Sequence, residues 1–329
     1  MASVRETTLD LLRSLGMTTI FGNPGSTELP FLEDLPEDFT YVLGLQESVV
    51  LAMADGYAQA KRQATFVNLH TAPGLGNAMG AMVNAFHGHT PLVITAGQQD
   101  RRHLALEPLL HGRLVELARP YVKWSYEPVR AEDVPAAVAR AYHTATQEPQ
   151  GPVFVSIPMD DWEAEASPLE TRRVSQRTAA SPEALERVAS ALLESRQPAI
   201  VAGDGAARSA AWHEVVALAE KLDAPVYNEP LSAHAPFPQD HRLFQGHLAS
   251  YPESALPAAR RIRRGPGARR CGLQVLPLHG GSGLGAGDSR LPGNRRPERG
   301  CPGCDGDQRG RRRHPRRTAP LRAAAQRGP

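Results

Sequence analysis

Four apolar, strand-like runs in the first third of the chain each end in residues that could bind a ligand or move a proton. In open α/β sheets, ligands bind beyond the carboxyl ends of the strands, so polar groups at those positions are candidates for function. A carboxylate and an imidazole can exchange protons, and hydroxyl and amide groups can orient a ligand. The four positions are Asn23-Pro24-Gly25-Ser26 after TTIFG, Glu47 after YVLGLQ, His70 after ATFVNL and Gly97-Gln98-Gln99 after PLVITA.

Three of these residues also have a purely structural explanation. Glu47 would be favoured in the first turn of a helix by the helix dipole, by roughly a few tenths of a kcal/mol. Ser26 could be an N-cap, with Glu28 in the first helical turn. His70 could be a partly buried imidazole with satisfied hydrogen bonds. Local sequence alone leaves both explanations open.

The elements that must position these residues alternate between β-rich runs and helix-like stretches. Strands that are apolar on both faces and separated by crossovers of helix length predict a doubly wound α/β fold, with a parallel sheet covered on both sides. The predicted strands are 18–23, 41–45, 64–70, 91–97 and 151–158, and the predicted helices lie near 5–15, 47–61, 76–87 and 131–147.

A second α/β unit is expected after a polar stretch, SPLETRRVSQRTAASPE, that has the composition of a linker. The strand 198–205, a helix near 208–222 and the strand 224–230 form one β-α-β unit, preceded by a helix start at 181–183. The predicted organisation is one domain over 1–170, a partial middle domain over 181–250 and a disordered Arg/Gly/Pro-rich tail over 251–329.

The overall composition, 41% apolar and 22% charged, is ordinary for a soluble protein, but the charge is divided unevenly. The last 79 residues hold 18 arginines, no lysine and 5 acidic residues, a formal charge of +13, while the first 250 residues carry −11. All three cysteines lie in that tail, which excludes a disulfide framework from the folded part. No apolar run approaches the roughly 20 residues of a membrane span, so we expect a cytoplasmic protein without membrane contact.

Taken together, the motifs resemble the pyrimidine-binding domain of thiamine-diphosphate-dependent enzymes. They are FGNPGSTELPFL, the helix from QES to ADGYAQA, NLHTAPGLGNAMGAM and PLVITAGQQ, in that order and spacing. Within that family GNPGS at 22–26, His70 in NLHTAPG and YVKWSYEP at 121–128 look like the benzoylformate decarboxylase branch. The resemblance extends over about the first 250 residues.

The resemblance implies roles for three residues. Glu47 would hydrogen-bond N1′ of the cofactor's aminopyrimidine and exchange a proton with it, which activates the thiazolium carbon for attack on a 2-oxo acid. Loss of CO₂, protonation and release would then give an aldehyde. Ser26 would bind the substrate carboxylate, and His70 would relay protons, a task that suits an imidazole near neutral pH.

The resemblance also implies a cofactor-binding set around Glu47. A carboxyl group suits this proton exchange when it is sheltered from water, and the apolar residues of 42–45 and 49–53 are the expected shelter. Gly74, Gly76 and Gly80 resemble the family's strand-to-helix turn. A dinucleotide-binding GxGxxG is the alternative, but no acidic residue ends a strand about 20 positions later. The expected cofactor contacts are Glu47, Asn23, Pro24, Gly25, Gly74 and Asn77.

Members of the family hold the diphosphate and Mg²⁺ in a third domain, through a GDG motif and a later Asn. This chain contains Gly203-Asp204-Gly205 and Asn228, but they open the second unit, where the family has its middle domain. Mg²⁺ prefers oxygen ligands in octahedral geometry, which an arginine-rich segment does not offer. We therefore expect no metal ligands in this chain and a third domain that is missing beyond Leu248.

The arginine-rich tail has the composition expected when GC-rich DNA is translated in a shifted frame. We expect the reading frame to slip near residues 250–258, which would leave a truncated decarboxylase with an unrelated tail. Nonspecific contact with nucleic acid is one alternative, although no aromatic residue beyond Tyr251 is available for stacking. Zinc binding by Cys301 and Cys304 with Cys271, His279 or His314 is another, but these spacings match no familiar site.

The sequence thus predicts the N-terminal part of a thiamine-diphosphate-dependent decarboxylase acting on a small 2-oxo acid of the benzoylformate type. Family resemblance adds a homo-oligomer in which different chains hold the two ends of the cofactor. We expect the chain alone to be inactive, with no specific nucleic-acid partner. The alternative is a noncatalytic scaffold or regulatory protein that uses the basic tail as an interaction arm.

Overall fold

A computed structural model of the chain describes residues 2–248, apart from 171, 173, 176–178 and 231. The predicted tail over 251–329 lies outside the described residues, together with its possible frame slip, nucleic-acid contacts and zinc ligands. Within the described part, no helix is both long enough and apolar enough to cross a membrane.

Strands and helices alternate along most of the described chain. The strands are β1 (Ala2–Ser3), β2 (Thr19–Gly22), β3 (Thr40–Leu43), β4 (Thr65–Leu69), β5 (Leu92–Gln98), β6 (Ser125–Tyr126), β7 (Val153–Pro158), β8 (Glu165–Ala166), β9 (Ile200–Ala202), β10 (Val226–Asn228) and β11 (Phe244–His247). The helices are α1 (Val4–Ser14), α2 (Leu29–Leu32), α3 (Glu47–Lys61), α4 (Thr71–His87), α5 (Leu114–Ala118), α6 (Val134–Thr146), α7 (Pro182–Glu194), α8 (Asp204–Arg208) and α9 (Trp212–Leu222).

The largest sheet has six parallel strands in the order β3-β2-β4-β5-β7-β6. The strand that follows β2 in sequence, β3, lies on one side of β2, and the next strand, β4, lies on its other side. This reversal is a topological switch point, where a crevice opens beyond the carboxyl ends of the two strands. The ends of β2 and β4 therefore flank the expected ligand position.

Alternating strand residues fill two cores, one on each face of this sheet. Phe66 packs with α1 and α6, whereas its neighbour Val67 packs with α3, α4 and α5. Successive side chains of a strand point to opposite faces, so an unbroken apolar run serves both cores. The predicted doubly wound α/β fold is confirmed.

The second unit contains a three-stranded parallel sheet in the order β11-β10-β9. Ser181 caps α7 by accepting a hydrogen bond from the backbone N–H of Ala184, as the Ser-Pro-Glu sequence predicts. The short edge strands β6 and β11 are absent from the sequence prediction. β6 has two residues and β11 has four. The apolar pattern that predicts a strand is stronger in the central strands of both sheets.

Candidate active site

Three of the residues singled out in the sequence meet at the carboxyl edge of the large sheet. Asn23 follows β2, His70 follows β4, and Glu47 opens α3 shortly after β3. Because β2 lies between β3 and β4, all three positions fall at the switch point. Parallel strands end at the same edge of a sheet, which explains why residues far apart in sequence converge there.

Glu47 is buried at the start of α3, with 7% of its surface exposed. Gln46 caps the helix by accepting a hydrogen bond from Val49 N at 3.1 Å. The carboxylate accepts one hydrogen bond on each oxygen, from Asn23 Nδ2 to Oε1 and from Asn77 Nδ2 to Oε2, both at 3.0 Å. Three predicted cofactor contacts, Glu47, Asn23 and Asn77, thus form one cluster.

The predicted apolar shelter around Glu47 is wrong in part. Leu43, Leu45 and Val49 are 58%, 89% and 52% exposed, so half of the expected apolar wall faces outward. The buried face of α3 instead carries Glu47, Val50 and Leu51, which follow helical spacing. The Glu47 carboxylate is therefore buried on the inner face of α3 and hydrogen-bonded by two carboxamides.

His70 is held by Glu28, a residue that the sequence analysis placed only in a helical turn. His70 Nδ1 lies 2.8 Å from Glu28 Oε2, which also accepts a hydrogen bond from Gly25 N at 2.8 Å. Oε1 of the same carboxylate accepts from Thr27 Oγ1 at 2.7 Å and from Gly97 N at 2.9 Å. Glu28 is 1% exposed, and no local pattern in STELP indicates its partners.

Ser26 is exposed and lies in the loop between β2 and α2. The N-cap of α2 is Glu28, without a side-chain cap bond, so the structure does not support Ser26 as an N-cap. The preceding Gly25 packs so closely on His70 that an added Cβ would lie 2.2 Å from the ring. The loop thus brings the Ser26 backbone to the imidazole side of the site, which is compatible with its expected role.

The glycine-rich stretch after His70 is helical, which corrects the prediction of a turn before a helix at 76. Helix α4 begins at Thr71, with Pro73 tolerated in its first turn, and it contains Gly74, Gly76 and Gly80. A Cβ on Gly74 would lie 3.1 Å from Glu47 Oε1 and 3.4 Å from His70 Cβ. Gly74 therefore permits close packing between the two proposed catalytic residues. An added Cβ on Gly76 or Gly80 would lie in open space, so neither glycine is needed for such packing.

The start of α4 is also strained. Thr71 is fully buried and has φ of 42°, a conformation that β-branched residues rarely adopt. Such a residue costs about 1–3 kcal/mol and persists only where the surrounding structure imposes it. The strain lies directly beside His70 and accompanies the sharp entry from β4 into α4.

The fourth candidate position, Gly97-Gln98-Gln99, lies at the end of β5, and its Gln98 side chain has a structural role. Gln98 is 2% exposed and donates a hydrogen bond from Nε2 to Gly112 O at 3.0 Å. Its Oε1 accepts a hydrogen bond from Gln99 N. Gln98 therefore ties the end of β5 to a later loop, and only the backbone N–H of Gly97 reaches the site.

The GDG sequence of the second unit is engaged in its own fold. The Asp204 carboxylate accepts hydrogen bonds from Ser232 Oγ at 2.6 Å and from the backbone N–H groups of Ala233 and His234 at 3.0 and 2.9 Å. No group of three or more His, Cys, Asp or Glu side chains that could hold a metal occurs among the described residues. The Asp204 carboxylate therefore has a structural role within the second unit.

The residues at the switch point fit the pyrimidine end of thiamine diphosphate. Glu47 offers a buried carboxyl group with two of its roughly four acceptor sites used. Gly74 leaves open the space between this carboxyl group and His70 that a Cβ would fill. The described residues therefore fit the pyrimidine end of this cofactor.

Comparison with known proteins agrees with this assignment. Residues 2–118 match the N-terminal TPP binding domain of thiamine pyrophosphate enzymes, and residues 185–261 match the central domain of the same enzymes. Thiamine pyrophosphate is another name for thiamine diphosphate. The two matches follow the order of the two α/β units in the structure.

Individual relatives are similar over the same region. A benzoylformate decarboxylase of Pseudomonas aeruginosa is 46% identical over 254 residues, covering 75% of this chain and 48% of the relative. The crystal structure of benzoylformate decarboxylase from Polynucleobacter necessarius matches with a TM-score of 0.74 and 51% identity, covering 76% of this chain and 48% of that one. A 4-hydroxybenzoylformate decarboxylase of Rhodococcus jostii matches with a TM-score of 0.76 and 46% identity, covering 78% and 50%.

The chain spans about half the length of these relatives. Both matched domains, the switch-point site and the relatives point to one family. The chain belongs to the thiamine-diphosphate-dependent enzymes and carries their N-terminal and central domains.

Proposed function

We propose that this chain supplies the pyrimidine-binding half of a decarboxylase that converts an aryl 2-oxo acid of the benzoylformate type to an aldehyde and CO₂. The observation that carries the proposal is the buried Glu47 carboxylate, held between Asn23 and Asn77 and separated from His70 by Gly74. Relatives named as benzoylformate and 4-hydroxybenzoylformate decarboxylases favour an aryl substrate. Thiamine diphosphate, when bound, supplies the nucleophilic carbon and the electron sink that such a decarboxylation requires.

Each residue of the cluster has a defined task in this proposal. Glu47 holds and returns a proton at the ring nitrogen of the aminopyrimidine, and Asn23 and Asn77 keep its carboxyl group oriented for that exchange. His70 delivers and removes protons at the substrate. Ser26 donates a hydrogen bond to the substrate carboxylate, and the Gly25 backbone, packed on the His70 ring, sets the distance between these two groups.

This proposal assigns Mg²⁺ and the diphosphate to a domain like the third domain of the family, outside the described residues. The carboxylate of Asp204, the one GDG aspartate in the described chain, is already bonded within its own loop. The chain alone, given thiamine diphosphate, Mg²⁺ and benzoylformate, is therefore expected to release no CO₂. A homo-oligomer in which two chains complete each site is part of the same proposal.

A chimera tests the function directly. Residues 1–248 are joined to the part of the Pseudomonas aeruginosa relative that the match does not cover, and CO₂ release from benzoylformate and from pyruvate is measured. We expect activity with benzoylformate in preference to pyruvate. Glu47→Gln should lower the rate by at least about 10²-fold, because the amide cannot exchange the proton.

Glu186→Gln, at an exposed position on α7, is the matched control and should leave the rate unchanged. A folded chimera that binds the cofactor and decarboxylates no aryl 2-oxo acid would contradict the proposal. Full activity in the Glu47→Gln chimera would contradict the role of that residue.

A further inference from the structure

The Glu28 carboxylate is surrounded by groups that donate hydrogen bonds. Gly25 N and Gly97 N are backbone amides and can only donate. Thr27 Oγ1 approaches Oε1 at 2.7 Å, and His70 Nδ1 approaches Oε2 at 2.8 Å. Four donors match the acceptor capacity of an ionised carboxylate, which has no proton of its own to give.

This arrangement fixes where the His70 proton lies. Glu28 accepts at both oxygens, so His70 Nδ1 must be the donor in their 2.8 Å contact. Thr27 Oγ1, 3.3 Å from the same nitrogen, already directs its hydroxyl proton to Glu28 and can only accept from the ring. The neutral imidazole therefore carries its proton on Nδ1 and its lone pair on Nε2.

Nε2 is the ring nitrogen directed away from Glu28, and 23% of the His70 side chain is exposed. A lone pair at this position can take a proton from a ligand in the crevice, and the adjacent carboxylate then balances the charge of the imidazolium. Two further titratable groups lie near. Glu47 is across Gly74, and Tyr41, whose pKa is raised by burial and then by the charge of Glu28, stays a neutral phenol.

We propose that Glu28 is a positioning residue that holds His70 in the Nδ1–H tautomer, so that Nε2 is the atom that exchanges protons with the substrate. This inference rests on the proposed function, in which His70 exchanges protons with the substrate. Glu28 accepts the hydrogen bond of Nδ1, and each proton enters and leaves at Nε2. In a serine protease, the carboxylate that sets the histidine tautomer is worth about 10⁴-fold in kcat, which shows the scale that such positioning can reach.

The tautomer can be measured on the full chain without any activity. Nitrogen NMR of ¹⁵N-histidine-labelled protein separates protonated from lone-pair nitrogens, and His70→Gln identifies the His70 signals among the 12 histidines. At a pH where the ring is neutral, we expect a protonated Nδ1 and a lone pair on Nε2. Glu28→Gln should move the proton wholly or partly to Nε2, because one amide oxygen cannot accept from all four donors.

The chain offers an internal control with the opposite geometry. His241 Nε2 lies 3.2 Å from Glu220 Oε1, while His241 Nδ1 accepts from Leu243 N at 3.2 Å, so the proton of this ring belongs on Nε2. Glu220→Gln should leave the His70 signals unchanged. Thr27→Val removes one donor but retains Glu28, so His70 should keep its Nδ1 proton.

A proton on Nε2 of His70 in the unaltered chain would overturn the inference, and this measurement stands even where Glu28→Gln does not fold. An Nδ1 proton that persists in folded Glu28→Gln would overturn it as well. In the chimera, Glu28→Gln should lower kcat by about 10²–10⁴-fold with a smaller change in KM. If the chimera releases no CO₂ but the tautomer responds to Glu28, the proposed function fails while the positioning of His70 stands.

Discussion

Two buried glutamates at the switch point differ in how many donors surround them. Among the described residues, Glu28 has four donors, which fill its acceptor sites, whereas Glu47 accepts from Asn23 and Asn77. A buried carboxylate is costly unless hydrogen bonds compensate for the lost water. The saturated residue thus suits a fixed structural partner, and the residue with open acceptor sites suits a ligand.

Alanine substitutions in α4 should distinguish Gly74, which packs against Glu47, from Gly76, which has open space around it. Gly76→Ala adds a Cβ into open space and should stabilise the chain by about 0.5–1 kcal/mol, since Gly is a poor helix former. Gly74→Ala places a Cβ 3.1 Å from Glu47 Oε1, and the crowding should cancel or exceed that gain. Urea unfolding of both variants measures the difference.

Gly80→Ala, also in open surroundings, is the control for the helix-propensity gain and should behave like Gly76→Ala. Equal stabilisation by all three substitutions would show that Gly74 is not required for the approach of α4 to Glu47.

At the scale of elements, hydrogen bonds to Asp204 connect the start of α8 to the loop at 232–234. Its carboxylate accepts hydrogen bonds from Ser232 Oγ and from the backbone of Ala233 and His234, and His234 Nδ1 lies 3.3 Å from Oδ1. Burial alone would raise the pKa of Asp204, but these hydrogen bonds outweigh it and the pKa is lowered. The ionised form therefore stabilises the fold of the second unit.

Asp204→Ala should lower the free energy of unfolding by about 1–3 kcal/mol near pH 7, the cost of leaving buried donors without an acceptor. Because the pKa is lower in the folded state, this stabilisation is present above the ordinary aspartate value and declines as the pH falls through the folded value. Urea unfolding between neutral and acidic pH checks this. Asp240→Ala, at an exposed position, is the control, and a difference that grows toward acid would contradict the assignment.

At the scale of the whole molecule, several large apolar side chains near the site face outward. Leu29, Leu43, Leu45 and Val49 are all more than half exposed, and they lie at the starts of α2 and α3, at the end of β3 and in the loop between β3 and α3. Single exposed apolar residues are common, but a group of them often marks an interaction surface. This group agrees with the predicted homo-oligomer, which stays a prediction.

Leu45→Gln combined with Val49→Gln should weaken self-association of the chain. Burying such side chains in an interface contributes roughly 1.5–3 kcal/mol each, so losing both should raise the dissociation constant by about 10²-fold or more. Analytical ultracentrifugation measures this change. Leu193→Gln, an 85% exposed position on α7, is the control, and unchanged association in the double variant would exclude this surface as the contact.

Much of the fold follows from local patterns in the sequence. The five long strands of the large sheet and helices α1, α3 and α6 were predicted to within a few residues, because hydrophobic periodicity is a property of neighbouring residues. Helix α4 was predicted to begin at 76 and begins at Thr71, because tertiary packing overrides the low helix propensity of Pro73 and Gly74.

The same distinction between local sequence pattern and tertiary structure applies to the candidate active site. Sequence alone determined that Glu47 opens a helix shortly after a strand and that His70 directly follows one, since each comes after an apolar run that predicts a strand. Only the tertiary structure decided which part of the expected apolar wall is buried, that Asn23 and Asn77 bind the Glu47 carboxylate, and that Glu28 holds His70. Glu28 joins groups that are 42 and 69 residues away in sequence, and contacts of that range depend on how strands are ordered in the sheet, which no local pattern encodes.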